Sequence, residues 1–309
     1  MKVDMITITG PTASGKTGLA AHLAHELNTE IISADSRQVY REMDIGTGKD
    51  LEDYLVDGHQ VPYHLIDFLE PGYKYNVFEY QKDFLKAFET LRNKGKPPIL
   101  AGGTGMYIEA VLKGYRLIDV PPDDNLRSEL QNKSQEELVG ILRELNPELH
   151  NTTDTEHKKR TIRAIEIARY YKENPTASID FPKIDTAIIG VKYDRPAQKR
   201  KISARLKQRL EEGMIEEVEK LLEKVPSETL VYYGLEYKFI THYLQNTLSY
   251  DKMFKKLEVA IHQFAKRQMT WFRKMERQGW NIHWIDGHMP MEQKLDRAFE
   301  ILDQYGIKK

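Results

Sequence analysis

With 309 residues the chain is long enough for about two domains and for a buried core that needs no covalent staple. Its 46 basic and 47 acidic residues nearly cancel, and 40% hydrophobic with 30% charged residues is the balance of a globular protein, which excludes a long disordered tail. The absence of cysteine excludes a disulfide scaffold, a Cys-ligated zinc, an iron–sulfur cluster and a thiol nucleophile together, and it fits a reducing cytosol. The opening MKVDMITITG carries Asp4 and alternating threonines where a secretory segment needs an apolar run, and no window approaches a membrane span. A cytoplasmic, unanchored protein is therefore expected.

The chain begins as strand, loop and helix: MITIT over 5–9, GPTASGKT over 10–17, then Leu19, Leu23 and Leu27 four residues apart. EIISA over 30–34 predicts a second buried strand, ending at Asp35. Phe84, Leu85, Phe88 and Leu91 predict a helix stopped by Asn93 and Gly95, and Pro98 to Ala101 a third strand that runs into Gly102, Gly103, Thr104 and Gly105. Apolar runs at Ala187 to Val191 and Ile282 to Ile285 complete a parallel sheet, whose strands read as continuous hydrophobic segments because helices cover both faces. Between 115 and 182 only helical patterns occur, flanked by Pro121 and Pro122 on one side and by Pro175 and Pro182 on the other. This predicts an inserted helical subdomain, 115–182, within a core made of 1–114 and 183–309 that ends in a helical C-terminal region. In the segment Lys252 to Arg277, residues Leu257, Ile261, Phe264, Gln268, Trp271 and Met275 recur at spacings of four and three, so they fall on one helix face with Gln268 as its polar exception.

GPTASGKT matches G-x-x-x-x-G-K-[ST] in the strand-to-helix setting that its mechanism requires, so the expected fold is an α/β, P-loop NTPase-like doubly wound sheet. Gly10 and Gly15 let the backbone curl until its N–H groups face a diphosphate. The helix N-terminus adds its dipole, Lys16 a point charge and Thr17 a hydroxyl for Mg²⁺. Such a loop recognises a diphosphate, so a kinase, an NTPase and a diphosphate-releasing transferase all fit. Asp35, at the carboxyl end of the second strand, faces the same crevice and can accept a proton from a nucleophile or bond to the waters of the Mg²⁺; the alternative is a helix N-cap. The histidines show no metal spacing, and no metal beyond this Mg²⁺ is expected. Three basic clusters, 157–163, 192–209 and 266–277, are each either a solvated face or a grip on a polyanion.

Taken together, GPTASGKT, ADSRQVYREMDIGTGK, VPYHLIDFLEP, AGGTGMYIEAVLKG, KRTIRAIEIAR and AKRQMTWFRK resemble the tRNA dimethylallyltransferases, in unbroken order over about residues 3 to 286. The resemblance implies transfer of a dimethylallyl group from dimethylallyl diphosphate to the exocyclic amino nitrogen of the adenosine 3′ of the tRNA anticodon. It implies Asp35 as general base, Thr17 and Lys16 as further catalytic groups with Thr17 on Mg²⁺, and Gly10, Pro11, Thr12, Ala13, Ser14, Gly15, Lys16, Thr17 and Arg205 around the diphosphate. Contacts to the anticodon stem-loop are implied for Asp35, Ser36, Arg37, Gln38, Thr104, Arg127, Lys159, Arg160, Thr161, Ile162 and Arg163, and for Lys266, Arg267, Gln268, Met269, Thr270, Trp271, Phe272 and Arg273. A monomer is expected. The competing readings are a small-metabolite or nucleoside kinase, a prenyltransferase acting on free AMP or ADP, and an RNA-binding protein with an inert loop. The first two have no use for the basic, aromatic-interleaved 266–277 segment, and the third none for Lys16, Thr17 and Asp35 together.

Two departures from the family pattern stand out. The G-T-A-K run has Gly48 for its alanine, and the A-I-G-Y-[KR]-E segment reads Tyr232-Tyr233-Gly234-Leu235-Glu236-Tyr237. The second predicts that Glu236 faces RNA with the wrong sign, so that either Lys238 takes a phosphate and the three tyrosines offer stacking faces to splayed bases, or a different set of tRNAs is accepted; the alternative is that these tyrosines are core residues of the helix running to Leu244.

Overall fold

The computed structural model describes residues 3–115, 117–147, 153–174 and 181–309. Its strands are β1 (Met5–Thr9), β2 (Ile31–Ser33), the small hairpin β3 (Leu55–Val56) and β4 (His59–Gln60), β5 (Tyr63–His64), β6 (Ile99–Gly102), β7 (Thr186–Lys192) and β8 (Ile282–Asp286). Six of these form one sheet in the order β5-β2-β6-β1-β7-β8, with every pairing parallel. All five strands expected from apolar runs are present. β5 escapes the sequence reading because two residues carry no period; it pairs through Ile31↔Tyr63 and Ile32↔His64. The first strand pairs with β6 on one side and β7 on the other, so the order turns around it. In an open α/β sheet that is where ligands bind, beyond the carboxyl ends of the strands.

The helix Lys16–Glu26 buries Leu19, Ala20, Leu23 and Ala24 in the same core as Ile6, Ile8 and Ile189 of the sheet and Ala298 and Leu302 of the C-terminal helix Met291–Asp303. The helix Val77–Arg92 starts with a capping box between Asn76 and Glu79 and buries Tyr80, Phe84, Phe88 and Leu91. Tyr80 stacks on Tyr107, with ring centroids 3.9 Å apart.

Contacts divide the chain into two units, Met1–Gly114 with Lys183–Lys309, and Tyr115–Pro182. In the second, the helices Asp124–Gln131, Gln135–Leu145 and Lys158–Glu173 share a core of Leu126, Leu130, Leu138, Leu142, Ile162 and Ile165. Glu166 is buried there. It accepts the Asp123 amide at 2.6 Å, pairs with Arg127 at 3.0 Å and also pairs with Arg163. Burial alone would raise its pKa, but the Asp123 amide and the two guanidiniums hold the carboxyl below the usual range. Thr161 and Ile162, expected on RNA, point instead into this unit: Thr161 Oγ1 accepts from Gln135 at 2.8 Å and Ile162 is core. Pro182 lies within the described residues, and Pro175 lies outside them.

The long helix runs Tyr250–Arg277, and its buried face is Met253, Leu257, Ile261, Ala265, Gln268, Phe272 and Met275. The expected stripe is one position off at two points. Phe264 is 38% exposed, with the Arg267 guanidinium 5.9 Å from its ring centroid, and Trp271 is half-buried. Spacings of three and four can be drawn through adjacent positions: at 264 and 265 the larger Phe264 drew the line while Ala265 takes the core, and at 271 and 272 two neighbouring aromatics fit the spacing equally and Phe272 takes the core.

Candidate active site

Three loops meet at the carboxyl ends of β1, β2 and β6. The first is 10–17. Gly10 has φ 156° and lies so close to Val191 and Ser14 that no side chain fits there. Gly15 has φ 79° and caps the following helix, while Ala13 holds φ 58°, a left-handed conformation costly for a residue with a Cβ. Ser14 Oγ is buried with no hydrogen-bond partner, as suits a loop built to receive an anion.

The second loop presents Asp35. Its amide donates to Ser33 Oγ at 3.3 Å and its Oδ1 accepts the Arg37 amide at 2.9 Å. This is an Asx turn within the loop and not the cap of a helix. The third loop steadies it: Thr104 Oγ1 accepts the Ser36 amide at 3.1 Å, and the Thr104 amide donates to the Ala34 carbonyl at 3.1 Å.

Lys16 is the electrostatic centre. Burial pushes its pKa down to about 8, Asp35 and Asp50 oppose the shift, and Arg205 and Arg209 add to it. One lysine thus senses the carboxylate of the second loop and two guanidiniums of the helix Arg195–Glu211. Asp50 organises those arginines. Both its oxygens accept from Arg209 Nη2 at 3.0 Å, and Arg205 Nη2 lies 3.8 Å away. Asp50 is itself placed by a rigid segment: Glu217 accepts the amides of Asp44, Ile45 and Gly46 at 2.8, 2.7 and 3.0 Å, and Lys49 is buried between Asp44 and Asp67. Gly48 has φ 67°, and a methyl group on it would collide with the guanidiniums of both Arg205 and Arg209. Gly48→Ala should therefore displace that pair at a cost of roughly 1–2 kcal/mol from the left-handed backbone as well. The expected result is a lower unfolding midpoint with diphosphate binding in calorimetry largely kept, because the two guanidiniums are the far ends of flexible side chains and the family pattern carries alanine here; an unchanged midpoint would mean that residue 48 leaves its left-handed conformation at no cost.

Comparison with known proteins identifies this arrangement. A model of the IPP transferase family matches residues 38–275, and an isopentenyl transferase model matches residues 2–63. The chain belongs to the IPP transferase family. It is 59% identical over 303 residues to tRNA dimethylallyltransferase 2 of Bacteroides fragilis, covering 98% of this chain and 99% of the relative. It is 60% identical over 302 residues to tRNA dimethylallyltransferase 2 of Phocaeicola vulgatus, covering 97% and 98%. The crystal structure of the full-length tRNA isopentenylpyrophosphate transferase of Bacillus halodurans superposes with a TM-score of 0.70 at 31% identity, over 99% of this chain and 98% of that one. A eukaryotic dimethylallyltransferase acting on tRNA shares the fold with a TM-score of 0.78 at 20% identity, over 99% and 81%.

Several expected RNA contacts of this family member are placed otherwise. Gln38 is buried and donates to the Gly48 carbonyl at 2.8 Å. Gln268 is 7% exposed and bonded to the backbone of two site loops, and Phe272 is fully buried. Lys159, Arg160, Lys266, Arg267, Thr270 and Arg273 are exposed, while Met269 and Trp271 are half-buried. Arg127 and Arg163 are half-exposed and engaged by Glu166. Trp271 packs against Gly105, where a Cβ would lie 2.5 Å from the indole.

At the 232–237 departure the reading from sequence also changes. Tyr233 is core, its hydroxyl accepting the Gly72 amide at 2.5 Å and donating to the Tyr73 carbonyl at 2.8 Å. Tyr237 is core as well, with its hydroxyl on Glu217 at 2.8 Å. A hydroxyl on each ring lets tyrosine serve a core position where a polar partner lies at its far end. Only Tyr232 is exposed, with Arg37 at 5.4 Å and Lys74 at 5.8 Å from its ring centroid. Glu236 does not face outward. It lines a small cavity with Thr12, Ala13, Arg205 and Arg209, and burial raises its carboxyl pKa against the pull of both arginines. Both departures from the family pattern therefore border one feature, the arginine pair. Arg209, Asp50, Gln198 and Glu217 were not singled out by sequence: Arg209, Gln198 and Glu217 are polar positions among many on their helices, and Asp50 is a loop residue without a motif of its own.

Proposed function

We propose that this chain transfers a dimethylallyl group from dimethylallyl diphosphate to the exocyclic amino nitrogen of the adenosine 3′ of a tRNA anticodon, releasing diphosphate. The observation that carries this reading is that the phosphate loop with Lys16 and the loop presenting Asp35, steadied by Thr104, meet at the carboxyl ends of β1, β2 and β6 in a chain of the IPP transferase family. The names borne by the relatives at 59% and 60% identity support it. In the reaction a C–N bond forms as the allylic C–O bond breaks. The amino proton passes to Asp35, whose Oδ1 accepts the Arg37 amide and whose Oδ2 is the less engaged oxygen. The leaving electron pair goes to diphosphate oxygens held by the loop amides, Lys16 and Arg205.

The residues present fit Mg²⁺ as the family implies it: Thr17 offers a hydroxyl at the helix start and Ser14 Oγ is an unpaired oxygen in the same loop, and such an ion takes its other ligands from phosphates and waters. When bound it neutralises charge on the leaving diphosphate. The adenine must leave the anticodon stack to reach Asp35, at a cost of about a few kcal/mol, which contacts to the RNA backbone from exposed Lys159, Arg160, Lys266, Arg267 and Arg273 offset. We place the reaction in the cytoplasm, carried out by a monomer. No helix among the described residues is long and apolar enough to cross a membrane.

The deciding experiment supplies Mg²⁺, labelled dimethylallyl diphosphate and either tRNA or AMP. Label in tRNA at the adenosine 3′ of the anticodon is the expected outcome, whereas label in AMP, or turnover of ATP in a parallel assay, would falsify the proposal. On the RNA side, neutralising Lys266, Arg267 or Arg273 singly should weaken binding of all accepted tRNAs to a similar degree. Each change should reduce the slope of log affinity against log salt by roughly one contact; a slope left unchanged by all three substitutions removes this face from the RNA interface.

A further inference from the structure

Thr12 stands in the phosphate loop, and both polar groups of its main chain are bound by helices far away in sequence. Its N–H donates to Oε1 of Gln268 at 2.8 Å, and its carbonyl accepts from Nε2 of Gln198 at 2.5 Å. The Gln268 amide goes on to donate through Nε2 to the Gly103 carbonyl at 2.9 Å. One side chain of the Tyr250–Arg277 helix thus ties the loop after β1 to the loop after β6. Gly103 makes the reach possible, since a methyl group there would stand 2.6 Å from Nε2 of Gln268, 3.3 Å from the Gly10 carbonyl and 3.4 Å from Cε of Lys16.

A packing role does not account for this glutamine. Position 268 lies on a face otherwise made of Met, Leu, Ile, Ala and Phe, where an apolar side chain of the same length would fill the space without burying an amide. Gln198 is specified in the same way. Its Oε1 is buried with no partner, and turning the amide over would bring two oxygens face to face at the Thr12 carbonyl. Between the two clamps and the glycine cap lies Ala13, in its left-handed conformation. Such a conformation persists where the surroundings over-determine it. An anion-binding loop is effective in proportion to how firmly its donors are held before the charge arrives.

We propose that Gln268 and Gln198 are positioning residues for the transfer reaction: by clamping the Thr12 peptide from two helices they fix the loop amides and Lys16 for the diphosphate, and Gln268 acts on the diphosphate side of the reaction and not as a contact to RNA. The identity of the anion rests on the function proposed above; the clamp itself rests on the hydrogen bonds. Because Lys266, Arg267 and Arg273 stand exposed on the same helix, substitutions there and at Gln268 should separate cleanly by readout.

The test measures, on the full chain, calorimetric affinity for inorganic diphosphate with Mg²⁺, affinity for tRNA, and kcat and KM for dimethylallyl diphosphate. The variants are Gln268→Met, Gln198→Met and Gly103→Ala, with Gly103→Ala combined with Gln268→Met to close a cycle. Gln268→Met and Gln198→Met should each bind diphosphate roughly 10-fold to 100-fold more weakly and lose kcat by a similar factor, while tRNA affinity stays within about twofold. Gly103→Ala displaces the same amide, so the double variant should lose no more than the worse single one. Since Gln198 is on a different helix, its variant reports on the clamp even if Gln268→Met folds poorly. Diphosphate binding like that of wild type in both glutamine variants overturns the proposal, as does a Gln268→Met variant that loses tRNA affinity alone. A wild-type chain that ignores diphosphate overturns the functional reading of the loop and the role assigned to the clamp in it, and leaves the hydrogen bonds at Thr12 as a feature of the fold alone.

Discussion

Asp35→Ala should lower single-turnover transfer to tRNA by about 10²-fold to 10⁴-fold, the range for loss of a general base, and leave tRNA affinity nearly unchanged. The carboxylate is held by its own loop and makes no pairing that supports the fold: Oδ1 accepts the neighbouring Arg37 amide, and the surrounding chain is fixed independently by Thr104 through Ser36 and Ala34. Asp35→Asn sharpens the test because it keeps an oxygen for the Arg37 amide while offering no proton acceptor of comparable basicity. It should retain the stability and tRNA affinity of wild type and still fall within the same range of activity loss, while its diphosphate affinity follows a Lys16 ammonium that has lost the support of the Asp35 charge. Full transfer by Asp35→Ala would remove Asp35 from the mechanism and leave the amino proton to water.

The parts of this molecule that could be read from its sequence are those in which a local rule and the tertiary structure agree. Continuous apolar runs gave five parallel strands because strands covered on both faces need no polar alternation, and the glycine-rich loop after the first could be placed because only one backbone path turns its amides on an anion. Asp35 and Thr104 followed from being at strand ends. What could not be read was set by distant partners. Gln268 looks like a polar flaw on a helix stripe until Thr12 and Gly103 are seen beside it, and Tyr233 and Tyr237 look like exposed aromatics until Gly72, Tyr73 and Glu217 are found at their hydroxyls. Glu236 is the clearest case. Its sign looked wrong for RNA because the sequence cannot say that two arginines of another helix border the same cavity. A residue that departs from a family pattern is therefore better judged against its spatial neighbours than against the role of the residue it replaces.

Lys16 leads to the second large effect, one of pH. Burial first, with Arg205 and Arg209 adding to it and Asp35 and Asp50 opposing, brings its ammonium down to a pKa of about 8 in the free chain. A bound diphosphate brings negative charge to that ammonium and must raise the value again. Above about pH 8 the free chain is then largely without the Lys16 charge, and binding has to take up a proton that it does not need at about pH 7. The expected result is affinity for dimethylallyl diphosphate, measured without tRNA, that falls as pH rises through this window. Calorimetry in two buffers of different ionisation enthalpy should register close to one proton taken up above it and almost none below. The prenyl ester is the right ligand, since its diphosphate has no further proton to lose there and cannot imitate the effect. Lys16→Arg, which stays charged throughout, should bind without the pH step. Lys16→Met should remove both the step and most of the affinity, by roughly 10²-fold or more for a charge-assisted contact in a dry site. Flat affinity and no proton uptake in the wild type would mean that Lys16 does not meet the diphosphate, and the loop would then have to be read as holding its anion through backbone amides and Arg205 alone.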